Sequence, residues 1–413
     1  MDSETTEKRP VGSDGEEQAT TDLDGEGLHV VWDMTHAGRI RTGTGVYAQN
    51  VTAALQKTFG VCVSTLIAPR PLDHRSSLPA RAMRGAHQVM WTQFGLRAGL
   101  RRLKPDLLHA PAFVSTLVPP CPLVVTIHDM AYVRFPQHYS KPWLWYTRLL
   151  VPLAARRARA VIAVSEHARR DVLRYLRLPP KKVHVVLQGV DLQRFRPLSG
   201  LATEGVARRY GLDTPFILHV GNLAARKNIP TLLSAVFRLK RAHSWGARKV
   251  VLAGGVSPGL PGYADIEATV EALGLETDVV FLGHVPDDDL PAIYNLADAV
   301  VMPTLHEGFG VPVIEGMACG RPVIAADTSS IPEVAGDAAI LVDPKDVDAW
   351  AGALSRVLSN RALRQEMAER GLARARGFTW ENTARNTLAV YRHVLGNGSH
   401  SDSGGAASAG GGR

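Results

Sequence analysis

Cysteine is scarce in this chain of 413 residues, which has three: Cys62, Cys121 and Cys319. They are odd in number, far apart and never in C-x-x-C spacing. That excludes a disulfide framework and a thiolate zinc site. Their expected place is as small buried hydrophobes in a reducing compartment. Long apolar runs are missing too: no stretch reaches the ~18 residues that a spanning helix needs. The first residues, Asp2 to Glu26, are polar and acidic and lack the basic-then-apolar order of a secretory signal. The expected location is the cytoplasm, with the protein either dissolved or resting on the inner membrane face. No internal repeat of fixed period is present.

What remains is ordinary globular material, 45% hydrophobic and 21% charged. Lys and Arg outnumber Asp and Glu by 47 to 39, for a net charge of +8. Such an excess suits an anionic small ligand or an anionic bilayer. Nucleic acid is excluded as the partner, because no binding module and no basic–aromatic interleaving accompany the charge. At ~100–200 residues per domain, the length allows two or three domains.

Short apolar runs alternate with longer amphipathic ones. The first half gives strands at 28–33, 61–67, 106–110, 122–127, 160–164 and 183–187. The second half gives 215–220, 248–253, 278–282, 298–302, 322–325 and 339–342. Continuous apolar strands separated by helices predict parallel sheets covered on both faces. Occurring twice, the pattern predicts an α/β protein of two doubly wound domains. Ligands of such sheets lie beyond the carboxyl ends of the strands, which makes the cleft between the domains the expected site. Residues 1–27 read as a disordered leader and 397–413 as a flexible tail. The domains are expected at 28–197 and 198–376, with a last helix over 377–396. From pattern alone that helix could close the second domain or cross back to the first; Phe378, Trp380, Leu388, Tyr391 and Val394 are its candidate buried positions.

The most informative run is Leu305-His306-Glu307-Gly308-Phe309-Gly310-Val311-Pro312-Val313-Ile314-Glu315. An apolar strand leads into it and Pro312 suits the opening of a helix. Glu307 then sits in a glycine-bearing loop and Glu315 about one turn inside the helix. Gly308 and Gly310 permit close approach of a ligand. The helix start favours a phosphate, and the carboxylates can accept bonds from sugar hydroxyls. Together they describe a seat for a nucleotide carrying a sugar.

Glu307 and Glu315, with the continuation Gly316 to Ala325 and then Ser329 to Val334, resemble the E-x7-E region of retaining glycosyltransferases with the two-domain GT-B fold, in particular family 4. The resemblance implies a hexosyltransferase that needs neither metal nor cofactor. It implies that Glu307 holds hydroxyls of the donor sugar and Glu315 the ribose. The helix start at Phe309, Gly310 and Val311 would meet the diphosphate. Arg226 and Lys227, in a loop after Gly221, match the basic pair that the family places on the donor pyrophosphate. Asn222 stands where some members have an arginine, so that third contact is in doubt. Gly43 and Gly45 open a helix after the first strand; the pair alone would suit a tight turn, and the resemblance assigns it to the cleft. His128 ends a strand and resembles the family's cleft histidine near the reacting sugar. Asp129 would either orient it or cap the next segment. Val285, after a strand, would meet the nucleotide base through its backbone. Asp287, Asp288 and Asp289 are a D-x-D temptation, but their context predicts an N-cap or first-turn acid, not a metal site.

The implied donor is a nucleoside diphosphate sugar, GDP-mannose before a UDP-sugar. The acceptor, a saccharide, a lipid-linked sugar or a natural product, would be chosen by loops near 34–45, 70–95 and 129–145, which carry Trp91, Phe94, Tyr132, Trp143 and Trp145. A basic, leucine-interleaved stretch from Arg148 to Lys182 is either a solvated surface or a peripheral contact for anionic lipid. A sugar-nucleotide epimerase of the same fold and a non-catalytic sugar-nucleotide binder are the rival readings.

Overall fold

The computed structural model describes residues 27–37, 43–69, 87–255 and 262–396. The expected tail, all of the leader but Gly27, residues 39–42 and much of the 70–95 stretch lie outside them.

The described residues contain β1 (His29–Asp33), β2 (Cys62–Leu66), β3 (Leu107–Ala110), β4 (Leu123–Ile127), β5 (Ala160–Ala163) and β6 (Val183–Val185). They form one sheet in the order β2-β1-β3-β4-β5-β6, every pairing parallel. The second sheet contains β7 (Phe216–Val220), β8 (Lys249–Ala253), β9 (Val279–Gly283), β10 (Ala299–Met302), β11 (Val323–Ala326) and β12 (Ala339–Val342). Its order is β12-β11-β10-β7-β8-β9, again all parallel. Each strand matches an expected segment. The central strands β3, β4, β5, β10 and β11 are buried throughout, while the edge strand β2 has exposed positions. A parallel strand roofed by helices on both faces must be apolar on both, which is why these runs do not alternate.

The connection order reverses between β1 and β3 in the first sheet and between β7 and β10 in the second. Diverging connections open a crevice at each reversal, where such sheets bind ligands. The Arg226–Lys227 loop follows β7 and the Glu307 loop follows β10, so both meet one crevice.

The last helix, Trp380–Gly396, packs on the first helix, Gly43–Phe59, and shares a core with Val30, Trp32, Tyr47, Val51 and Leu55 of the first sheet's layer. Phe378, Leu388, Tyr391 and Val394 are buried; Trp380 is half-buried and meets Tyr47 at 6.3 Å. The Tyr391 hydroxyl reaches His109 Nδ1 of β3 at 2.5 Å, and Thr126 of β4 holds the other ring nitrogen at 2.8 Å. Burial lowers His109 to a pKa of about 3, so the ring is neutral. The helix thus pins the far end of the chain onto the first sheet.

The cysteines depart from expectation. All three are free, but only Cys319 is buried; Cys62 is exposed on the edge strand and Cys121 is half-buried. An edge strand has one solvated side, so a small hydrophobe there need not be covered.

Candidate active site

Gly221 ends β7 at φ +143°, where an added Cβ would lie 3.3 Å from Lys227 Nζ. Its missing side chain lets Lys227 fold back beneath the strand ends. Arg226 and Lys227 occupy a single 3-10 turn, Ala225–Lys227, and Asn228 ends it in the left-handed conformation before the helix Ile229–Arg241. Lys227 is 4% exposed. It is not a solvated loop cation.

Both cations converge on one atom. Lys227 Nζ lies 2.6 Å and Arg226 Nη1 3.0 Å from Glu307 Oε1, and the Thr304 hydroxyl donates to the same oxygen at 3.0 Å. Glu307 is 8% exposed. Burial alone would raise its pKa, but Lys227 and Arg226 outweigh it and bring the carboxyl to about 2. Burial outweighs Glu307 for Lys227, whose pKa falls. Among the described residues no hydrogen bond is made to Glu307 Oε2, which leaves that oxygen for a ligand hydroxyl.

Ser329 and Ser330, from the run that carries the resemblance, hold this loop. Ser329 Oγ accepts from Glu307 N at 3.0 Å; Ser330 Oγ donates to the Glu307 and Phe309 carbonyls at 3.0 and 2.9 Å. Ser165, from the first half, donates to the Gly308 carbonyl at 2.7 Å. Gly308 packs so tightly on β4's end that a Cβ would stand 1.9 Å from the His128 carbonyl oxygen. Phe309 is buried against Phe378, at 5.9 Å. Gly310, at φ +100°, precedes the helix Val311–Ala318, with Pro312 in its first turn.

Glu315 lies half-buried in that helix and accepts from the Tyr294 hydroxyl at 2.7 Å. Burial raises its pKa to about 7, against smaller lowering by Tyr294 and Arg194. The two glutamates therefore differ: one is a cation-bound anion, the other titrates near neutrality.

His128 follows β4, with its carbonyl against Gly308 of the Glu307 loop. Its Nε2 sits 2.9 Å from the Pro111 carbonyl, its Nδ1 is 3.2 Å from Gln188 Nε2, and its ring meets Tyr47 edge-on at 5.0 Å. A carbonyl accepts only, so the proton is on Nε2 and Nδ1 is the acceptor. Burial lowers the pKa and keeps the ring neutral. Gln188 is a partner that nothing in the sequence announced. Asp129 accepts from Ala131 N at 2.9 Å, an i to i+2 turn around Met130, the N-cap position of the helix Ala131–Arg134. Gly45 is buried and Gly43 exposed at the start of the first helix, with no atom near where a Gly43 Cβ would point. Val285 is buried just past β9.

Asp289 meets the expectation by position but not by bonding. It holds the N-cap position of the helix Leu290–Leu296, but its side chain makes no cap bond. Both carboxylate oxygens take Arg209 Nη1, at 2.8 and 2.7 Å, and one accepts from the Tyr210 hydroxyl at 2.9 Å. A bound guanidinium outcompetes a backbone N–H for the carboxylate. The acceptor-side aromatics divide: Tyr132 is core, Trp143 stacks on Tyr139 at 4.7 Å, and Phe94 and Trp145 are 64% and 78% exposed.

Two family models match. Residues 208–374 match glycosyl transferases group 1 and residues 41–194 match Glycosyltransferase Family 4. The O-antigen chain mannosyltransferase B of Escherichia coli is 31% identical over 299 residues, 71% of this chain and 76% of that one. The chain belongs to glycosyltransferase family 4. It is a GT-B glycosyltransferase of the mannosyltransferase-like kind. A D-inositol 3-phosphate glycosyltransferase of Salinispora tropica is 33% identical over 312 residues, covering 70% of this chain and 64% of that protein. The chain spans only 30% of the length of the E. coli serotype-specific mannosyltransferase WbdA, at 31% identity. Among solved structures, a sucrose-phosphate synthase of Thermosynechococcus elongatus aligns with a TM-score of 0.71 at 21% identity, over 90% of this chain and all of that one. Anabaena Alr3699/HepE, in complex with UDP and glucose, aligns with a TM-score of 0.66 at 19% identity, over 89% of this chain and all of that one. At these identities the likeness establishes the fold alone. In this glycosyltransferase no described helix is long and apolar enough to cross a membrane.

Proposed function

We propose that this glycosyltransferase moves a hexose, mannose, from GDP-mannose to an acceptor hydroxyl with retained anomeric configuration and without a metal. The observation that carries the reading is the meeting of Lys227 and Arg226 on one oxygen of Glu307 at the β7/β10 crevice. Two cations are already desolvated and fixed there, at the strand ends where a diphosphate would lie. The bond broken is that between sugar C1 and the diphosphate oxygen. The charge left on the diphosphate is stabilised by Lys227, Arg226 and the helix start at Phe309, Gly310 and Val311. Groups held in place before the reaction need no reorganisation during it.

Glu307 has a double duty in this reading. Oε1 keeps the cations in place; Oε2 takes the hydroxyls of the donor sugar. Glu315 accepts from the ribose and the backbone at Val285 meets the base. Gly221 leaves room for the diphosphate above Lys227, and Gly43 and Gly45 border the cleft from the acceptor side. His128 contributes as an acceptor: a sugar hydroxyl replaces Gln188 on Nδ1, while Pro111 keeps the tautomer. The boundary between the domains is placed near 197–198. Mannose is favoured over other hexoses by the E. coli mannosyltransferases among the relatives.

The test is thermal stabilisation against GDP, UDP, ADP and dTDP, with and without Mg²⁺. A ligand that binds only the folded state raises its melting temperature by mass action. A shift with GDP alone, independent of Mg²⁺, is expected. A shift with UDP alone would replace the donor; no shift with any would remove the donor site. Proton NMR of the product gives the anomeric configuration, and inversion would remove retention.

The acceptor side supports a peripheral membrane contact. In the helix Lys141–Arg157, the exposed residues Lys141, Trp145, Arg148, Leu149 and Arg156 recur at helical spacing. Basic residues beside an exposed tryptophan and leucine suit the headgroup layer of an anionic bilayer. Co-sedimentation with phosphatidylglycerol vesicles at low salt is expected, and Trp145→Ala with Leu149→Ala is expected to abolish it. Equal sedimentation of both forms would dismiss the contact.

A further inference from the structure

The loop that carries Glu307 has a second face. His306, the residue before it, is 2% exposed, and its Nε2 is buried without a hydrogen-bond partner. Opposite stands the helix Glu166–Leu176, whose start is fixed by Ser165 accepting from Ala168 N at 3.0 Å. One turn of that helix separates His167 from Asp171, so both project to the same side. His167 Nε2 is also buried and unbonded, 3.6 Å from Asp171 Oδ2. One ligand atom from each of His167, Asp171 and His306 lies within 4.8 Å of the other two. A buried His306 nitrogen without a partner, beside a His167 nitrogen held only by a long 3.6 Å contact to Asp171, requires an explanation.

We propose that His167, Asp171 and His306 form a site for a zinc-class divalent cation that joins the first-domain helix to the second-domain loop. Two imidazoles and a carboxylate suit zinc; magnesium and calcium prefer oxygen alone. Three protein ligands leave a fourth position for water. Zinc bonds of ~2.0–2.1 Å put tetrahedral ligands roughly 3.3 Å apart, so the side chains draw together by rotation on binding. Arg134 already holds Asp171 as a fork, Nε to Oδ2 at 2.9 Å and Nη2 to Oδ1 at 2.7 Å. A carboxylate has about four lone-pair sites, so the pair towards His167 stays usable. The guanidinium then acts as an outer partner that orients the ligand. Its positive charge also weakens the site, which points to reversible occupancy.

The consequence is a clamp. Arg226 Nη1 donates to the His306 carbonyl at 3.1 Å, so the cation would fix the backbone on which the Arg226–Glu307 pair is built. It lies behind that loop and takes no part in the transfer itself. The inference does not depend on which sugar or nucleotide the protein uses.

The experiment uses the full chain, stripped with a chelator and then titrated with Zn²⁺, Co²⁺ or Mg²⁺. Zn²⁺ is expected to raise the melting temperature by ~3 °C or more, and Mg²⁺ not at all. Co²⁺ is expected to give the visible ligand-field bands of a nitrogen–oxygen site. His306→Gln and His167→Gln are each expected to lose both signals. His167→Gln lies on the first-domain helix, so it decides the matter if His306→Gln fails to fold. Absence of the cobalt bands, or a zinc shift of equal size in His167→Gln, would overturn the proposal.

Discussion

Each sheet presents a buried acid where its strand order reverses, and the two acids are held in opposite ways. In the second sheet Glu307 shares one oxygen among Lys227, Arg226 and Thr304. In the first sheet Asp33, 2% exposed at the end of β1, accepts from Thr35 N and the Ser115 hydroxyl, both at 3.1 Å. Two cations serve one acid; among the described residues, neutral donors serve the other. The first arrangement concentrates positive charge on one carboxylate oxygen; the second, among the described residues, does not. The two sheets are built alike, yet they hold their acids differently.

The sharpest way to break this comparison is Glu307→Gln. The amide keeps a hydrogen bond to Thr304 but no longer balances two buried cations. Breaking a buried pair from one side costs about 3 kcal/mol, which melting would register. Turnover is expected to fall by ~10²-fold or more, because the cations and the donor sugar both lose their positioning. Donor affinity is expected to change less than turnover, since a bound diphosphate supplies the missing negative charge. Unchanged turnover would end the proposed role.

Gly308→Ala tests the join between the halves. The added Cβ cannot coexist with the His128 carbonyl at 1.9 Å, and neither partner is a flexible side-chain tip. The loop must retreat and weaken the Ser165 bond to the Gly308 carbonyl. A destabilisation of ~1–3 kcal/mol is expected, the scale of overpacking, with turnover lowered alongside. Wild-type melting would mean that the halves meet less closely in solution.

Most of the fold was legible before the structure. Each of the twelve apolar runs matches a described strand; the signal is cleanest in central strands such as β5, β10 and β11, where cover on both faces favours apolar residues at every position. The Glu307 loop was legible for a different reason: glycines, a proline and two acids at fixed spacing leave few ways to arrange the chain. What the sequence hid was long-range pairing. Gln188, Ser165 and Ser330 are common residue types, and nothing local marks them as partners of His128, Gly308 and Glu307. Asp289 was legible as a cap position, which is a local pattern, but not as the partner of Arg209, which lies in a different helix. His306 and His167 are far apart in sequence and only folding brings them face to face.

Glu315→Gln addresses the contrast within the second half. Its carboxyl has a pKa of about 7, raised by burial above the usual value. The folded state therefore holds a proton that the unfolded state releases between about pH 4.5 and 7. Stability from this group is greatest at the acid end of that window and declines as pH rises through it. The glutamine variant is expected to flatten that slope, as melting temperature against pH would record. Nucleotide affinity in the variant is expected to fall about tenfold at pH 8, the worth of one hydrogen bond to a charged acceptor, and less at pH 6, where the wild-type carboxyl is largely neutral.

Asp33→Asn is the mildest change and isolates what the first half contributes. The amide oxygen still accepts from Thr35 N, and the Ser115 hydroxyl can turn to accept from the new NH2 group. With no cation among its described partners, the cost should stay near 1 kcal/mol, the scale of one rearranged neutral hydrogen bond. Set beside the ~3 kcal/mol expected of Glu307→Gln, the difference measures how much of the second site's stability is charge. Equal losses would show that burial alone governs both acids. A much larger loss at Asp33 would point to a cation among its partners, and the contrast between the two acids would fail.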